Sequence, residues 1–319
     1  MPAPVPEPVL AAAVPEASVV VREVLETRAT NGACVLTTLE APPRVLKYTH
    51  TAGWRLHKEA TVLEALDDVD GVPVPPVRAV GTADDWTYLL TEEASGTPLS
   101  DTSPDDSGPI LAAIGEVLAV LHAQITRHRP GTIDPTADSL ALTDSPTTWS
   151  GVLEDLLAAE RDILADTAFA ESVDHAQTVL DRVGDRIAPR SSPALLYCDA
   201  NPRNVLIAEG TVSALLDWEY AKVGDPVFDL ITAEHRLIDT GPFDPEARTS
   251  LYAGYRRRRS LPDDVRWRRR IYRVLLPLGE MVSRCGGADA DLEAAAADDD
   301  PAARALRATV RDRIDALED

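Results

Sequence analysis

The chain has 319 residues, of which 31 are Lys or Arg and 53 are Asp or Glu, for a net charge of -22. That length exceeds what one hydrophobic core usually supports, so two lobes are expected. The acidity disfavours general affinity for nucleic acid or anionic membrane, and it suits a cationic small-molecule partner as well as plain solubility.

Cys34, Cys198 and Cys285 are odd in number and show no C-x-x-C spacing, which indicates neither a disulfide framework nor a zinc site. The Pro- and Ala-rich residues 1–17 read as a loose, flexible tail without the basic n-region of a secretory signal. No apolar run approaches the ~20 residues of a membrane span, so a cytoplasmic protein with no membrane partner is expected.

In chain order, residues 18–50 read as three short strands. An Asn31-Gly32 turn is expected between the first two, and the third ends at Lys47. A helix follows over "GWRLHKEATVLEALDD", where Leu56, Ala60, Leu63 and Leu66 share one face at 100° per residue. Glu59 falls inside that apolar arc, where a carboxylate requires a cation or water.

Two further strands, "PPVRAVGT" and "DWTYLLTEE", complete a first lobe over 18–95. The loop-like "SGTPLSDTSPDDSGP" then leads into a mostly helical second lobe over 96–319. There Ile110, Ile114, Leu118, Leu121 and Ile125 form one stripe, with His122 read as a packed histidine beside it. A last helix opens at Pro301 behind an Asp300 cap.

The chemistry concentrates in "ALLYCDANPRNVLIAEGTVSALLDWEY". "VLI" and "SALL" are short strands joined by a Glu209-Gly210 loop, so they pair as an antiparallel hairpin that makes Asn204 and Asp217 neighbours. Asp199 opens the loop into Asn204. Amide and carboxylate oxygens suit Mg²⁺ with substrate phosphates, and a nearby aspartate can take a hydroxyl proton. Phosphoryl transfer needs that combination. Taken singly, Asp199 and Asn204 also suit side-chain turns, and Asp217 a cap.

This stretch resembles the aminoglycoside phosphotransferase and choline kinase family, which shares the protein-kinase-like fold and usually writes the loop as H-G-D-x-x-x-x-N, followed by I-D-W or I-D-F. "LLDWEYAKVGDPVFDL" is the more specific half. With "VLK" at 45–47, "KEATVLEAL" at 58–66 and "YLLTEEASGTPL" at 88–99, the similarity covers about residues 20 to 285.

The resemblance implies an α+β fold with a small antiparallel-sheet lobe carrying one helix and a larger helical lobe. It implies transfer from ATP or GTP, with Mg²⁺, to a hydroxyl of a small molecule, either an antibiotic or a metabolite such as an amino alcohol or sugar. Asp199 would be the base, Asn204 and Asp217 the metal ligands, and Lys47 the phosphate ligand fixed by Glu59. The Asn31-Gly32 turn would cover the phosphates. The backbone of Thr91, Glu92 and Glu93 would meet the base edge, and Asp225 and Asp229 would brace the catalytic loop.

Tyr197 and Cys198 stand where the family has His and Gly, which keeps a nucleotide-binding scaffold without turnover in view. A hydrolase using Asp199 and Asp217 is a third reading, but it leaves Lys47 and Glu59 without a role. Arg203 and the basic run Tyr255 to Arg273 are read as solvated surface paired with acidic neighbours, or as contacts to an anion.

Overall fold

The computed structural model describes residues 5–15, 19–27, 31–38, 42–102, 107–285 and 300–318. Strands β1 (Val19–Thr27), β2 (Asn31–Thr38), β3 (Arg44–Thr49), β4 (Val77–Ala83) and β5 (Trp86–Glu92) form an antiparallel sheet in the order β1-β2-β3-β5-β4. Helix α2 (Gly53–Leu66) crosses one face.

Alternation along β3 sends Leu46 and Tyr48 to the other face, where they are buried with Cys34, Leu36, Tyr88 and Leu90. That face is closed by α1 (Glu7–Ala13), whose Val9 and Ala13 join the same cluster. The segment expected to be a loose tail therefore holds a packed helix. An apolar sheet face needs a cover, and the nearest apolar turn of chain supplies it.

The Asn31-Gly32 pair also differs from expectation. Thr27 pairs with Gly32 and Asn31 pairs with Thr49, so both residues belong to β2 rather than to the turn. The connection at 28–30 lies outside the described residues.

After β5 the chain adds a short strand β6 (Thr97–Pro98) to the edge of the hairpin β8 (Val205–Ala208) and β9 (Thr211–Leu215), which ties the sheet lobe to the helical lobe. That lobe contains α3 (Ser107–Gln124), α4 (Trp149–Leu164), α5 (Ala170–Val183), α6 (Pro226–Glu234), α7 (Arg248–Arg258), α8 (Val265–Cys285) and α9 (Pro301–Glu318). A two-stranded ribbon of β7 (Ala194–Leu196) and β10 (Lys222–Gly224) lies at the site, with Lys222 opposite Leu196.

α3 and α7 approach backbone to backbone. A Cβ on Gly254 would lie 1.9 Å from the Ala112 carbonyl oxygen, and one on Gly115 2.1 Å from that of Leu251. Only hydrogen fits at these two contacts. The close crossing carries His122 of α3 against Tyr255 of α7, whose hydroxyl is 2.9 Å from Nδ1.

Candidate active site

The β8–β9 hairpin forms as its sequence suggests. Val205 pairs with Leu215, and the Leu216 N–H donates to the Asn204 carbonyl at 2.8 Å. Asp217 then leaves the strand in the left-handed region, at φ 63° and ψ 66°. Such a conformation is uncommon outside Gly, and it marks a place where the surroundings over-determine the backbone.

Lys47 sits where the lobes meet. Its Nζ lies 2.7 and 2.9 Å from the Glu59 carboxylate oxygens and 3.0 Å from Asp217 Oδ1. Strand alternation turns Lys47 toward α2, and the helical arc turns Glu59 toward β3. Burial pulls the Lys47 ammonium down, but Glu59 and Asp217 together outweigh it and hold the group above its ordinary value. Burial raises Glu59, and Lys47 opposes that.

Asp199 and Asn204 also meet. Asn204 Nδ2 donates to Asp199 Oδ2 at 2.7 Å, while the amide oxygen of Asn204 makes no hydrogen bond among the described residues. That oxygen and the half-exposed Asp217 carboxylate are donors suited to a hard cation completed by phosphate oxygens. Arg236 reaches Asp199 from the other side, with Nε 3.8 Å from Oδ1. Burial raises the Asp199 carboxyl to about 6 against the pull of Arg236, with Asp217 and Glu219 adding to the rise.

The loop is braced from below. The N–H groups of Tyr197 and Cys198 donate to the two Asp229 oxygens at 2.8 and 2.7 Å, and His122 Nε2 lies 2.9 Å from the same carboxylate. Tyr197 donates its hydroxyl to the Leu216 carbonyl, next to Asp217. Cys198 has a φ of 63°, which explains why related loops favour Gly there. Its buried thiol is pushed up to about 12, so it is an inert packing group.

Asp225, expected to brace the same loop, does other work. It caps α6 through the Val227 N–H at 3.1 Å and accepts from Arg268 Nη1 at 2.7 Å. Arg268 is fully buried and also donates to the Ile187 and Ala188 carbonyls at 2.8 and 2.7 Å. The basic run is thus partly internal. Of the other arginines in the run, Arg257 and Arg258 meet Glu116, Arg269 meets Glu234, and Arg273 meets Asp239. Arg203 is exposed.

A cleft of about 640 Å³ is lined by Asn31, Gly32, Lys47, Glu59, Asp217 and Glu219, and it extends to Tyr220 and Ile163. Thr91, Glu92 and Glu93 are not among its lining. The N–H groups of Glu92 and Glu93 already donate to the Pro76 and Pro43 carbonyls at 3.0 and 2.9 Å. A base edge meeting this segment therefore finds carbonyl oxygens, or the chain beyond Glu93.

Sequence reasoning did not find Arg236, and it read His122 only as packing. Arg236 lies in the π-turn His235–Asp239 that continues α6, a local distortion with no periodic signal.

An antiparallel-sheet lobe joined to a helical lobe, with a lysine, a helical glutamate, and an Asp-Asn-Asp set at their junction, defines a kinase-like phosphotransferase. The chain belongs to the phosphotransferase enzyme family, whose sequence model matches residues 29–270. No curated protein sequence matches it.

Solved structures show the same fold at low identity. An aminoglycoside phosphotransferase APH(4)-Ia variant in ternary complex with ADP and hygromycin B has 17% identity and a TM-score of 0.64, covering 92% of this chain and 94% of that one. The macrolide 2'-phosphotransferase MphH from Brachybacterium faecium has 19% identity and a TM-score of 0.62, over 88% and 92%. A candidate fructosamine-3-kinase from Haemophilus somnus 129PT has 15% identity and a TM-score of 0.64, over 97% and 95%. Among the described residues no helix is long and apolar enough to cross a membrane.

Proposed function

We propose that the protein transfers the terminal phosphoryl group of ATP or GTP to a hydroxyl of a small molecule. The observation that carries this is Lys47 held between Glu59 and Asp217, at the end of the hairpin where Asn204 meets Asp199.

Asp199 takes the acceptor hydroxyl proton. Lys47 neutralises nucleotide phosphates, and Glu59 fixes its position. Asn31 and Gly32, on the strand above Lys47, cover the phosphates, while the segment from Thr91 to Glu93 and just beyond borders the base. Asn204 and Asp217 hold Mg²⁺, which when bound screens the phosphate charge. No macromolecular partner is invoked.

The names of the relatives support an antibiotic as acceptor, in resistance or self-protection, with a sugar or amino-alcohol metabolite as the other reading. Thermal unfolding with ATP and GTP, each with and without Mg²⁺, is the test. A ligand at 100 times its dissociation constant adds about 2.7 kcal/mol, so a Mg²⁺-dependent rise is readily visible. Absence of any rise with either nucleotide would refute the proposal. A rise without phosphate transfer to any acceptor would point to a scaffold instead.

A further inference from the structure

A second ion pair joins the two lobes besides that of Lys47 with Asp217, and the scheme above gives it no role. Arg55 of α2 reaches Glu219, with Nη1 3.4 Å from both carboxylate oxygens. Glu219 stands two residues after Asp217, and Arg55, Glu219 and Asp217 all line the cleft that holds Lys47. Among the described residues, two ion pairs therefore tie the segment 217–219 to the sheet lobe, one through Lys47 at 3.0 Å and one through Arg55.

Arg55 does not cross the cleft as a loose surface chain. Its guanidinium lies 5.4 Å from the Trp54 ring centroid and 5.8 Å from that of Tyr220, distances at which a cation is attracted to an aromatic ring. Tyr220 follows Glu219 in the short turn Trp218–Tyr220, so a carboxylate and a ring of one turn hold the same guanidinium. Trp54 and Tyr220 are about half exposed and neither joins the hydrophobic core. Holding Arg55 gives both a role.

A half-exposed ion pair contributes little to stability. Its place in the fold gives it another effect. Arg55 and Glu59 are four residues apart in α2 and share one face, and Glu59 fixes Lys47. The contact of Lys47 with Asp217 has to open when nucleotide phosphates take Lys47 and Asp217 turns to the metal, whereas Arg55 and Glu219 have no other partner in that scheme. Of the two ties, the Arg55 pair is the one that persists.

We propose that Arg55 and Glu219, with the Trp54 and Tyr220 rings against the guanidinium, form an interlobe clasp that positions Lys47 for the nucleotide phosphates. This rests on the phosphotransferase reading. Arg55 is a positioning residue that touches no reacting group. It holds the first turn of α2 to the turn that follows Asp217, and so keeps Glu59 and Lys47 aimed into the cleft once Lys47 has left Asp217. Arginine suits the place because a planar guanidinium can donate to a carboxylate and lie on a ring at the same time.

The test uses the full chain and needs no acceptor. Dissociation constants for AMP-PNP with Mg²⁺, and for adenosine, are measured by titration calorimetry, with GMP-PNP and guanosine in their place if the chain prefers guanine. Arg55→Ala and Glu219→Ala are each expected to weaken AMP-PNP by about threefold to tenfold, and the double variant should be no worse than either alone. Adenosine affinity, which does not draw on Lys47, and the Tm of the free protein should change little. Arg55→Lys should restore part of the lost affinity through its charge. In a Glu59→Gln background, Arg55→Ala should cost less than about twofold more, because Lys47 is already unfixed.

Unchanged AMP-PNP affinity in both single variants, losses that multiply in the double variant, or a full further loss on top of Glu59→Gln overturns the clasp. Equal weakening of adenosine would make the pair a general structural support, and a loss confined to one partner would make that residue a direct ligand. Either result overturns the clasp as well. If the unaltered chain binds neither nucleotide analogue, the phosphotransferase reading itself fails and the clasp falls with it.

Discussion

Lys47 Nζ lies 2.7 and 2.9 Å from the two carboxylate oxygens of Glu59, and this pair joins β3 to α2 at the mouth of the cleft. Glu59 is almost wholly buried, so removing it leaves Lys47 with Asp217 as its only anion among the described residues. Glu59→Ala is expected to lower stability by on the order of 3 kcal/mol in urea unfolding. It should also raise the KM for nucleotide, and Glu59→Gln should do the same with a smaller loss of stability. An unchanged KM in both would mean that Lys47 does not hold phosphate.

The assigned roles separate Asp199 from Asp217. Asp199→Asn should lower kcat by about 10² to 10⁴-fold while leaving the thermal shift with Mg·ATP in place. Asp217→Ala should remove the shift itself. The reverse pattern would show that base and metal ligand have been exchanged.

Burial raises the Asp199 carboxyl to about 6, so kcat/KM should fall with one proton below that pH and level off above it. Arg236 and Asn204 pull the group down, so Arg236→Ala should move the midpoint to higher pH. For stability the sign follows from a folded-state value above the unfolded one. The contribution of this group is fully present below about 4 and is lost as pH rises through about 6. Asp199→Asn is therefore expected to raise the Tm at pH 8 more than at pH 5. A pH profile flat from 5 to 8 would remove Asp199 as the base.

Asp229 holds two backbone N–H groups of the catalytic loop and touches His122. Asp229→Ala leaves those buried donors unpaired, at about 1 to 3 kcal/mol for each. Activity should fall through kcat, because Asp199 loses its position, while the nucleotide KM changes little. Urea unfolding combined with steady-state kinetics would check both parts.

Buried and exposed arginines of the basic run should behave differently. Arg268→Ala strands Asp225 inside the helical lobe and should cost about 3 to 5 kcal/mol. Arg270 is exposed, and Arg270→Ala should stay within about 0.5 kcal/mol. Equal effects in thermal unfolding would contradict the buried pairing.

Several of these relationships were legible without a structure because they are local or periodic. Antiparallel pairing of two adjacent strands is enough to bring Asn204 to Asp217, and period 2 in β3 with period 3.6 in α2 is enough to aim Lys47 and Glu59 at a common space. Asp199 and Asn204, five residues apart in one loop, follow the same logic. The Asn31-Gly32 turn was misplaced because a turn signal does not set strand register, and pairing with β1 and β3 draws both residues into β2.

Only the tertiary structure decided the rest. His122, Tyr197, Asp229 and Tyr255 come from separate elements, and their contacts depend on how closely α3 crosses α7. Arg236 reaches Asp199 through a π-turn, Arg268 is drawn inside by carbonyls of 187 and 188, and α1 covers a sheet face that the sequence left open. Lys58, Lys222 and Glu160 look like ordinary surface charges in the sequence. Lys58 and Glu160 are set apart only because packing removes water from around them, and desolvation is a property of the assembled fold that no spacing of residues encodes.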